Sequence, residues 1–198
     1  NLKNIDYNEE NVRVNADIFT MGHRNPQGLA ETDKKFYSAE HGPKGGDEIN
    51  LLYKNANFGW PVSSYGTKYY LEPNSEFNAG EKIIKFYENS HSKFGFTEPV
   101  FQFTPSIAIS ALTNCPKILE KYYQRKGCLI STSLKDKSLY IFILDENQSN
   151  KIIGFEKIQF ERRLRNFALN YNGKLFENRD TIFVTTDDGY VLEIKFEI

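Results

Sequence analysis

The sequence predicts an all-β fold of the β-propeller type, and two observations lead to this prediction. The first is a hydrophobic period of two in short runs, clearest at residues 128–134, 138–144, 181–186 and 190–198. The second is that strand-like segments recur in three similar units. A propeller repeats four-stranded units in this way. A β-sandwich is the alternative, although its strands would be spaced more evenly and more closely.

Each unit contains a strand of small residues, a strand that ends in polar residues, and a strand of alternating character. The units cover residues 28–53, 107–145 and 166–198, and residues 151–160 are a candidate fourth strand of the second unit. The step from the first unit to the second is longer because it holds the insertion 57–80. We therefore expect one partial propeller domain over residues 1–198, with blades at roughly 21–66, 98–160 and 161–198 and a decorated loop at 57–97.

Turn signals separate these strands. The tripeptides 135–137 and 187–189 have hairpin length, and the second contains Asp-Gly, which tolerates positive φ. One short helix is expected near residues 116–125, with Asn114 as a possible cap and Pro116 in the first turn. Strand 138–144 has no polar side, because both of its alternating sets of residues are apolar.

Composition limits the classes of partner. The chain is 39% hydrophobic and 15% aromatic, which is typical of a folded domain. Lys and Arg together number 25 and Asp and Glu 26, so no global field attracts nucleic acid or an anionic membrane. No apolar stretch approaches the roughly 20 residues of a membrane helix. We expect neither a nucleic acid nor a membrane as partner.

The two cysteines, Cys115 and Cys128, leave two possibilities open. In an oxidising compartment they could close one small loop, and otherwise they are buried free thiols. Neither lies in a CxxC or CxxH context, so a thiolate metal site is not expected.

A first polar motif, residues 21–28, contains Arg24 and Asn25 directly before Pro26. Arginine is a planar fork of donors, and the proline forces extended geometry on the residue before it. Such a pair could hold a cluster of electron-rich oxygens. The simpler alternative is an arginine that ties down a turn.

A second motif is the glycine-rich loop within residues 39–52. The carbonyls of Gly42 and Pro43 and the carboxylates of Asp47 and Glu48 are hard oxygen ligands of the kind that Ca²⁺ takes. The loop is not a phosphate-binding loop, because Lys44 precedes its glycines and no Gly-Lys-Ser/Thr follows. A turn with solvated acids is the alternative interpretation.

Three cations follow later in the chain. Lys135 comes directly after a strand, and Arg163 and Arg165 lie two residues apart in a candidate strand. Residues at that spacing point to the same side, so the two guanidinium groups can face one ligand. Together the three cations would suit a polycarboxylate. A charged edge strand is the alternative.

These motifs together resemble a known family. The runs GHRNPQGLA, SAEHGPKGGDEINLL and NFGWPVSSYG are similar to the signature of the soluble sugar dehydrogenases that use pyrroloquinoline quinone (PQQ). His41 before Gly-Pro resembles the aldose sugar dehydrogenase branch, since the glucose dehydrogenase branch has Gln there. TSLKDKSLY, RLR and VTTDDGYVLEI match later family positions. The resemblance implies about three blades of a six-bladed ring, and oxidation of the anomeric carbon of an aldose sugar to a lactone.

The resemblance also implies a set of site residues. Arg24 and Asn25 would contact the quinone oxygens of PQQ, and His41 would line the same pocket. The carbonyls of Gly42 and Pro43 would hold the catalytic Ca²⁺, Asp47 would orient their loop, and Glu48 would belong to a separate structural calcium site. The cofactor carboxylates would be bound by the remaining group, which consists of Lys135, Arg163, Arg165 and, more weakly, Thr186.

One family feature has no counterpart in this sequence. The family's general base is a histidine in the N-terminal half of the ring, whereas His23 is expected to orient a loop and His91 to lie on the surface. The catalytic base is therefore unknown. We expect a homodimer, or pairing with an N-terminal half, and a periplasmic or secreted location. The alternative functions are a non-catalytic propeller binding module and an inactive remnant of such an enzyme.

Overall fold

The strands of the chain form antiparallel sheets. A computed structural model describes residues 16–67, 89–125, 127–145, 147, 151–168 and 180–198. The first sheet has four strands in the order β1-β2-β3-β4, and every neighbouring pair is antiparallel. Its strands are β1 (Pro26–Thr32), β2 (Lys35–Glu40), β3 (Asp47–Leu52) and β4 (Phe101–Phe103).

Two further sheets follow along the chain. The second has the order β5-β6-β7-β8, with β5 (Ile109–Asn114), β6 (Cys128–Ser133), β7 (Ser138–Leu144) and β8 (Ile152–Gln159). The third has the order β11-β10-β9, with β9 (Leu164–Phe167), β10 (Thr181–Thr186) and β11 (Val191–Lys195). Consecutive strands pair side by side in each sheet, as expected for blades, and the all-β prediction is confirmed.

One strand lies in a different sheet from the one expected. Phe101 and Phe103 pair with Ile49 and Asp47 of β3, so β4 is the outer strand of the first sheet. The second sheet begins at Ile109, and not near residue 98. The sequence pattern does not reveal this pairing, because the long insertion separates β4 from β3. Most of that insertion and residues 169–173 of the expected third unit lie outside the described residues.

The middle sheet packs on both of its faces. On one face of β7, Tyr140, Phe142 and Leu144 join a core with buried residues of the first sheet. On the other face, Leu139 and Ile141 join a core with buried residues of the third sheet. The absence of a polar side on β7 therefore has a direct structural cause, since each face is covered by a neighbouring sheet.

The inner strands of the first two sheets approach each other closely. A Cβ placed on Gly28 of β1 would lie 2.4 Å from the backbone nitrogen of Leu112 in β5. No side chain fits at that distance, so glycine is required where the two blades meet.

The hairpin between β6 and β7 is fixed by a carboxylate. Asp136 Oδ2 accepts hydrogen bonds from Tyr140 Oη at 2.5 Å and Ser138 Oγ at 3.1 Å, and it lies 2.9 Å from Lys157 Nζ of β8. Burial would raise the pKa of Asp136, but the contacts with Lys157, Tyr140 and Ser138 lower it overall. The turn is thus tied to the start of β7 and to the neighbouring strand.

The expected short helix is present as α1 (Lys117–Tyr122). Asn114 does not cap it, because that residue ends β5, and Pro116 occupies the cap position instead. A disulfide joins Cys115 and Cys128 around this helix, and both residues are buried. Of the two possibilities for the cysteines, the structure has the bonded one. The described helices include none with the length and apolar character needed to cross a membrane.

We predict that replacing both cysteines, C115A/C128A, lowers the free energy of unfolding by about 3 kcal/mol. The disulfide closes a short loop and so restricts the unfolded chain. Without it the unfolded state gains conformational entropy, which for a loop of this size is worth about 3 kcal/mol. Urea denaturation of the variant and of the wild type, each with and without reductant, measures the effect. Reductant should shift only the wild type, and equal stability of all four samples would contradict the prediction.

Candidate functional site

A buried glutamate organises the turn that precedes β1. Glu40 ends β2 and is 3% exposed. Its Oε2 accepts hydrogen bonds from the backbone N–H of Arg24 at 2.8 Å and of Asn25 at 3.4 Å. Its Oε1 accepts one from Asn50 Nδ2 at 2.5 Å and lies 3.0 Å from His23 Nδ1. Four polar groups converge on this carboxylate, and together they hold the backbone of the turn.

The guanidinium group of Arg24 lies beside the glycine-rich loop. Its Nη1 donates a hydrogen bond to the His41 carbonyl at 3.0 Å, and its Cζ lies 5.3 Å from the centre of the Trp60 ring. In the described structure, the buried Arg24 Nε and His41 Nε2 atoms have no hydrogen-bond partner. Buried polar atoms are normally paired, so both atoms are candidates for contact with a ligand. Asn25 is exposed, and its Oδ1 accepts a hydrogen bond from Gln27 Nε2 at 2.8 Å.

A small cavity separates the Arg24 turn from the glycine-rich loop. Its volume is about 10 Å³, which is close to the space that one water molecule needs. Its polar lining includes Arg24, Glu40, His41, Glu48 and His91. The cavity therefore places polar groups from both motifs around one point.

Asp47 holds the glycine-rich loop in place, and its carboxylate is fully buried. Its Oδ1 accepts hydrogen bonds from the Gly42 N–H at 3.1 Å and from Ser106 Oγ at 2.7 Å. Its Oδ2 accepts one from the Ile109 N–H at 3.1 Å, at the start of β5. Both oxygens are thus used by donors, and these contacts are those of a residue that orients the loop.

The loop itself folds tightly on its own backbone. A Cβ on Gly42 would lie 2.0 Å from the Gly45 carbonyl oxygen and 2.3 Å from that of Gly46. Gly46 has a φ of +68°, and a Cβ there would lie 2.3 Å from the Gly66 nitrogen. The calcium role expected for the Gly42 and Pro43 carbonyls of this loop stays a prediction.

Glu48 and His91 form a buried pair, and the expectation that His91 lies on the surface is wrong. His91 is 1% exposed, its Nε2 lies 3.3 Å from Glu48 Oε1, and its Nδ1 lies 2.9 Å from Ser63 Oγ. Glu48 Oε2 accepts a hydrogen bond from Asn50 at 3.3 Å. Within the described ranges, no three His, Cys, Asp or Glu side chains are grouped to hold a metal ion. The calcium role expected for Glu48 therefore stays a prediction.

The environment of this pair raises both pKa values. Burial raises the pKa of Glu48, and the charge of Glu40 raises it further, against the opposing contacts with His91 and Asn50. Burial alone would lower the pKa of His91, but the contact with Glu48 and the charge of that carboxylate raise it above its usual 6.5. Each group therefore holds a proton to higher pH than it would in the unfolded chain.

Lys135 lies in the hairpin after β6 and is exposed. Its backbone N–H donates a hydrogen bond to the Ile107 carbonyl at 3.1 Å. Ile107 follows Ser106, whose hydroxyl binds Asp47 at 2.7 Å. The Lys135 turn is therefore connected through two neighbouring residues to the carboxylate that holds the glycine-rich loop.

Arg163 and Arg165 converge on one carboxylate, as expected for residues two apart with Leu164 buried between them. Arg163 Nε donates to Asp187 Oδ2 at 2.8 Å, and Arg165 Nε donates to Asp187 Oδ1 at 2.6 Å. The hydrogen bonds from Arg163 and Arg165 lower the pKa of Asp187. Two guanidinium groups thus share one carboxylate and retain an excess of positive charge.

The third sheet is joined to the second at this point. The Arg165 carbonyl accepts hydrogen bonds from Ser110 Oγ at 2.9 Å and from Thr132 Oγ1 at 3.0 Å. Thr186 Oγ1 donates to Asp188 Oδ1 at 2.5 Å, and Asp188 also pairs with Arg162. Asp188 in the turn after β10 therefore fixes the side chain of Thr186, beside Arg163 and Arg165.

Three of these residues were not expected from the sequence. Glu40, Asn50 and Asp187 are polar residues that bind other site residues, and none belongs to the expected ligand set. One signal was available for Glu40, because an acid that alternates with Ser38 on a strand of buried residues needs donors around it. Asp187 resembled an ordinary hairpin residue, and only the folded register brings it to Arg163 and Arg165.

We predict that stability falls as the pH rises from about 6 to 8, and that H91Q reduces this slope. The pKa of His91 is higher in the folded state than in the unfolded state, so protonation of His91 favours folding. This contribution is complete at a pH below the unfolded-state pKa, and it is lost as the pH rises through the folded-state pKa. Chemical denaturation at both pH values measures the slope, with the exposed Lys54→Gln as control. An unchanged slope in H91Q would show that another group is responsible.

Comparison with known proteins finds a family model and relatives that cover most of this chain. It matches the glucose/sorbosone dehydrogenase family over residues 4–190. It is 30% identical over 165 residues to an aldose sugar dehydrogenase of Escherichia coli, covering 81% of this chain and 40% of the relative. It is also 55% identical over 54 residues to quinoprotein glucose dehydrogenase B of Acinetobacter calcoaceticus, which covers 26% of this chain and 11% of that relative.

The fold agrees with a solved structure of the same kind. The crystal structure of the soluble aldose sugar dehydrogenase of Escherichia coli, in its apo-form, superposes with a TM-score of 0.63 at 28% identity. The match covers 92% of this chain and 47% of that structure. The three sheets are therefore blades of a β-propeller, and the chain spans less than half the length of the relatives that it matches.

Proposed function

Because the chain belongs to the glucose/sorbosone dehydrogenase family, we propose that it forms the cofactor-binding part of an aldose sugar dehydrogenase. The cofactors in this proposal are PQQ and Ca²⁺, and the reaction is oxidation of the anomeric carbon of an aldose to a lactone. The name of the Acinetobacter relative, a quinoprotein, supports a quinone cofactor. The name of the Escherichia relative supports an aldose as substrate.

One observation carries the proposal: a continuous set of contacts connects the candidate residues across all three sheets. Arg24 binds the His41 carbonyl beside the glycine-rich loop, and Asp47 ties that loop to β5. Ser110 of β5 then binds the Arg165 carbonyl in the third sheet. Groups that are distant in sequence are thereby held in fixed relation, which a binding site needs before its ligand arrives.

The residues present fit the proposed cofactor. Arg24 Nε and His41 Nε2 are buried without a partner in the described residues, and quinone oxygens and nitrogen atoms are suitable partners for them. In this proposal Arg24 and Asn25 hold the quinone, the Gly42 and Pro43 carbonyls hold Ca²⁺, and the cofactor carboxylates are bound by Lys135, Arg163, Arg165 and Thr186. When bound, PQQ supplies the two-electron acceptor and Ca²⁺ a Lewis acid.

The protein residues orient these groups and shape the charge around them. Asp47 fixes the glycine-rich loop, so its carbonyls are positioned before a cation binds. The guanidinium of Arg24 places positive charge where oxygen gains electron density during the reduction. Arg163 and Arg165 together carry two charges against one on Asp187, which leaves a positive excess for an anionic ligand.

The proton acceptor for the sugar hydroxyl belongs elsewhere in the ring in this proposal. His23 is engaged by Glu40, and His91 is buried against Glu48. The blades that complete the ring are supplied by a further part of a longer polypeptide, by a separate N-terminal half, or by a second copy of this chain. A periplasmic or secreted location fits the disulfide between Cys115 and Cys128.

We predict that the chain binds PQQ weakly in the presence of Ca²⁺, and that R163A/R165A abolishes this binding. The affinity is low because these three blades leave the site open, and the double variant removes both carboxylate partners. Titration calorimetry with and without Ca²⁺ measures the binding. Arg162→Ala is the matched control, since Arg162 pairs with Asp188 and not with Asp187. Unchanged PQQ binding in R163A/R165A would refute the carboxylate clamp.

We also predict that the 198-residue chain alone does not reduce a dye acceptor with glucose, PQQ and Ca²⁺. Loss of a general base costs about 10²–10⁴-fold in rate, and no histidine of this sequence is assigned that role. A steady-state dye assay measures turnover, and the Escherichia coli relative serves as the positive control. Comparable turnover by both proteins would show that His23 or His41 acts as the base.

A further inference from the structure

We propose that Glu40 is the positioning residue of the Arg24–Asn25 turn, and this proposal rests on the function proposed above. Neither the family match nor the motif analysis assigns Glu40 a role. It is buried at the end of β2, next to the residues expected to hold the quinone. In this proposal the Glu40 carboxylate fixes the backbone of that turn, and the backbone in this position orients the Arg24 guanidinium.

Within the described residues, Glu40 is the acceptor for two N–H donors of the turn. Pro26 begins β1 and has no N–H, and the pairing of β1 with β2 shifts between Pro26 and Gly28. The backbone N–H groups of Arg24 and Asn25 precede this shift and lie outside the strand ladder. Glu40 Oε2 accepts both of them, at 2.8 and 3.4 Å. Without that oxygen, two donors of the turn lose their acceptor.

A buried acid at the position of Glu40 is costly, because a second acid lies opposite it. Glu40 and Glu48 are directly opposite each other across β2 and β3, and both are buried. Like charges at such a pair destabilise a sheet. Asn50 reduces this cost by donating to both carboxylates, at 2.5 Å to Glu40 and 3.3 Å to Glu48. We take the retention of an acid here, despite the repulsion, to mean that its carboxylate is needed to bind the turn.

Glu40 is itself held in place by His23. His23 Nδ1 lies 3.0 Å from Glu40 Oε1, and His23 Nε2 lies 2.9 Å from Thr20 Oγ1. The His23 ring also packs against Phe58, at 4.6 Å between ring centres. The carboxylate therefore cannot rotate freely, and its Oε2 stays directed at the turn. Glu40 acts on a ligand only through Arg24 and Asn25.

The test uses Glu40→Gln, with Glu31→Gln as the matched control because Glu31 is exposed on β1 of the same sheet. Glutamine has one acceptor oxygen, and its NH₂ would face donors that now bind a carboxylate. Amide hydrogen exchange, followed by NMR, is expected to become about tenfold faster or more at Arg24 and Asn25 in E40Q and to stay unchanged in E31Q. If E40Q does not fold, Glu40→Asp replaces it in this experiment. Aspartate keeps the charge but is one methylene shorter, so exchange at Arg24 and Asn25 should become faster than in the wild type.

A mutant cycle tests whether Glu40 acts through Arg24 and Asn25. PQQ affinity in the presence of Ca²⁺ should fall about tenfold or more in E40Q, and adding E40Q to R24A/N25A should have little further effect. Equal losses in both backgrounds would overturn the proposal, as would unchanged exchange at Arg24 and Asn25 in folded E40Q or E40D. If the wild type does not bind PQQ, the proposed function fails, whereas the exchange measurement still decides whether Glu40 positions the turn.

Discussion

The buried carboxylate of Asp47 is the contact on which the arrangement of this protein depends. A fully buried charge is tolerated only when donors surround it, and here those donors come from two different blades. Gly42 belongs to the glycine-rich loop, whereas Ser106 and Ile109 lead into the second sheet. The need to satisfy one carboxylate therefore aligns the loop with the neighbouring blade, and the Lys135 turn follows through Ile107.

Much of the fold could be predicted from the sequence because local pattern determines it. The bounds of β7 and β10 agree with the runs 138–144 and 181–186, since period-two apolar residues and hairpin signals are local properties. The assignment of β4 failed because its pairing with β3 spans a long insertion, and pairing over such a distance leaves no local signal. Asn114 failed as a cap because its strand continues to that residue, and tertiary pairing outweighed its capping preference.

The candidate site was predictable in part for the same reason. The spacing of Arg163 and Arg165 fixes their common direction, and the structure shows both on Asp187. The supporting residues were not predictable, since their role comes from contacts between segments. His91 appeared in a polar segment typical of a surface, yet Glu48, Ser63 and the ring of Tyr65 enclose it. Partners that are distant in sequence, and not the local composition, explain its burial.

The two apolar faces of β7 also affect how the pairing of that strand is chosen. In a strand with one solvent-exposed face, a shift of register by one residue would move the apolar residues into solvent, which is unfavourable. This does not apply to β7, because a shifted strand would still bury apolar residues on both faces. The Asp136 carboxylate favours the native register, because it binds Lys157 of β8 as well as Ser138 and Tyr140 of β7. A single acid in the hairpin thus helps to fix the pairing of a strand whose apolar pattern does not define it.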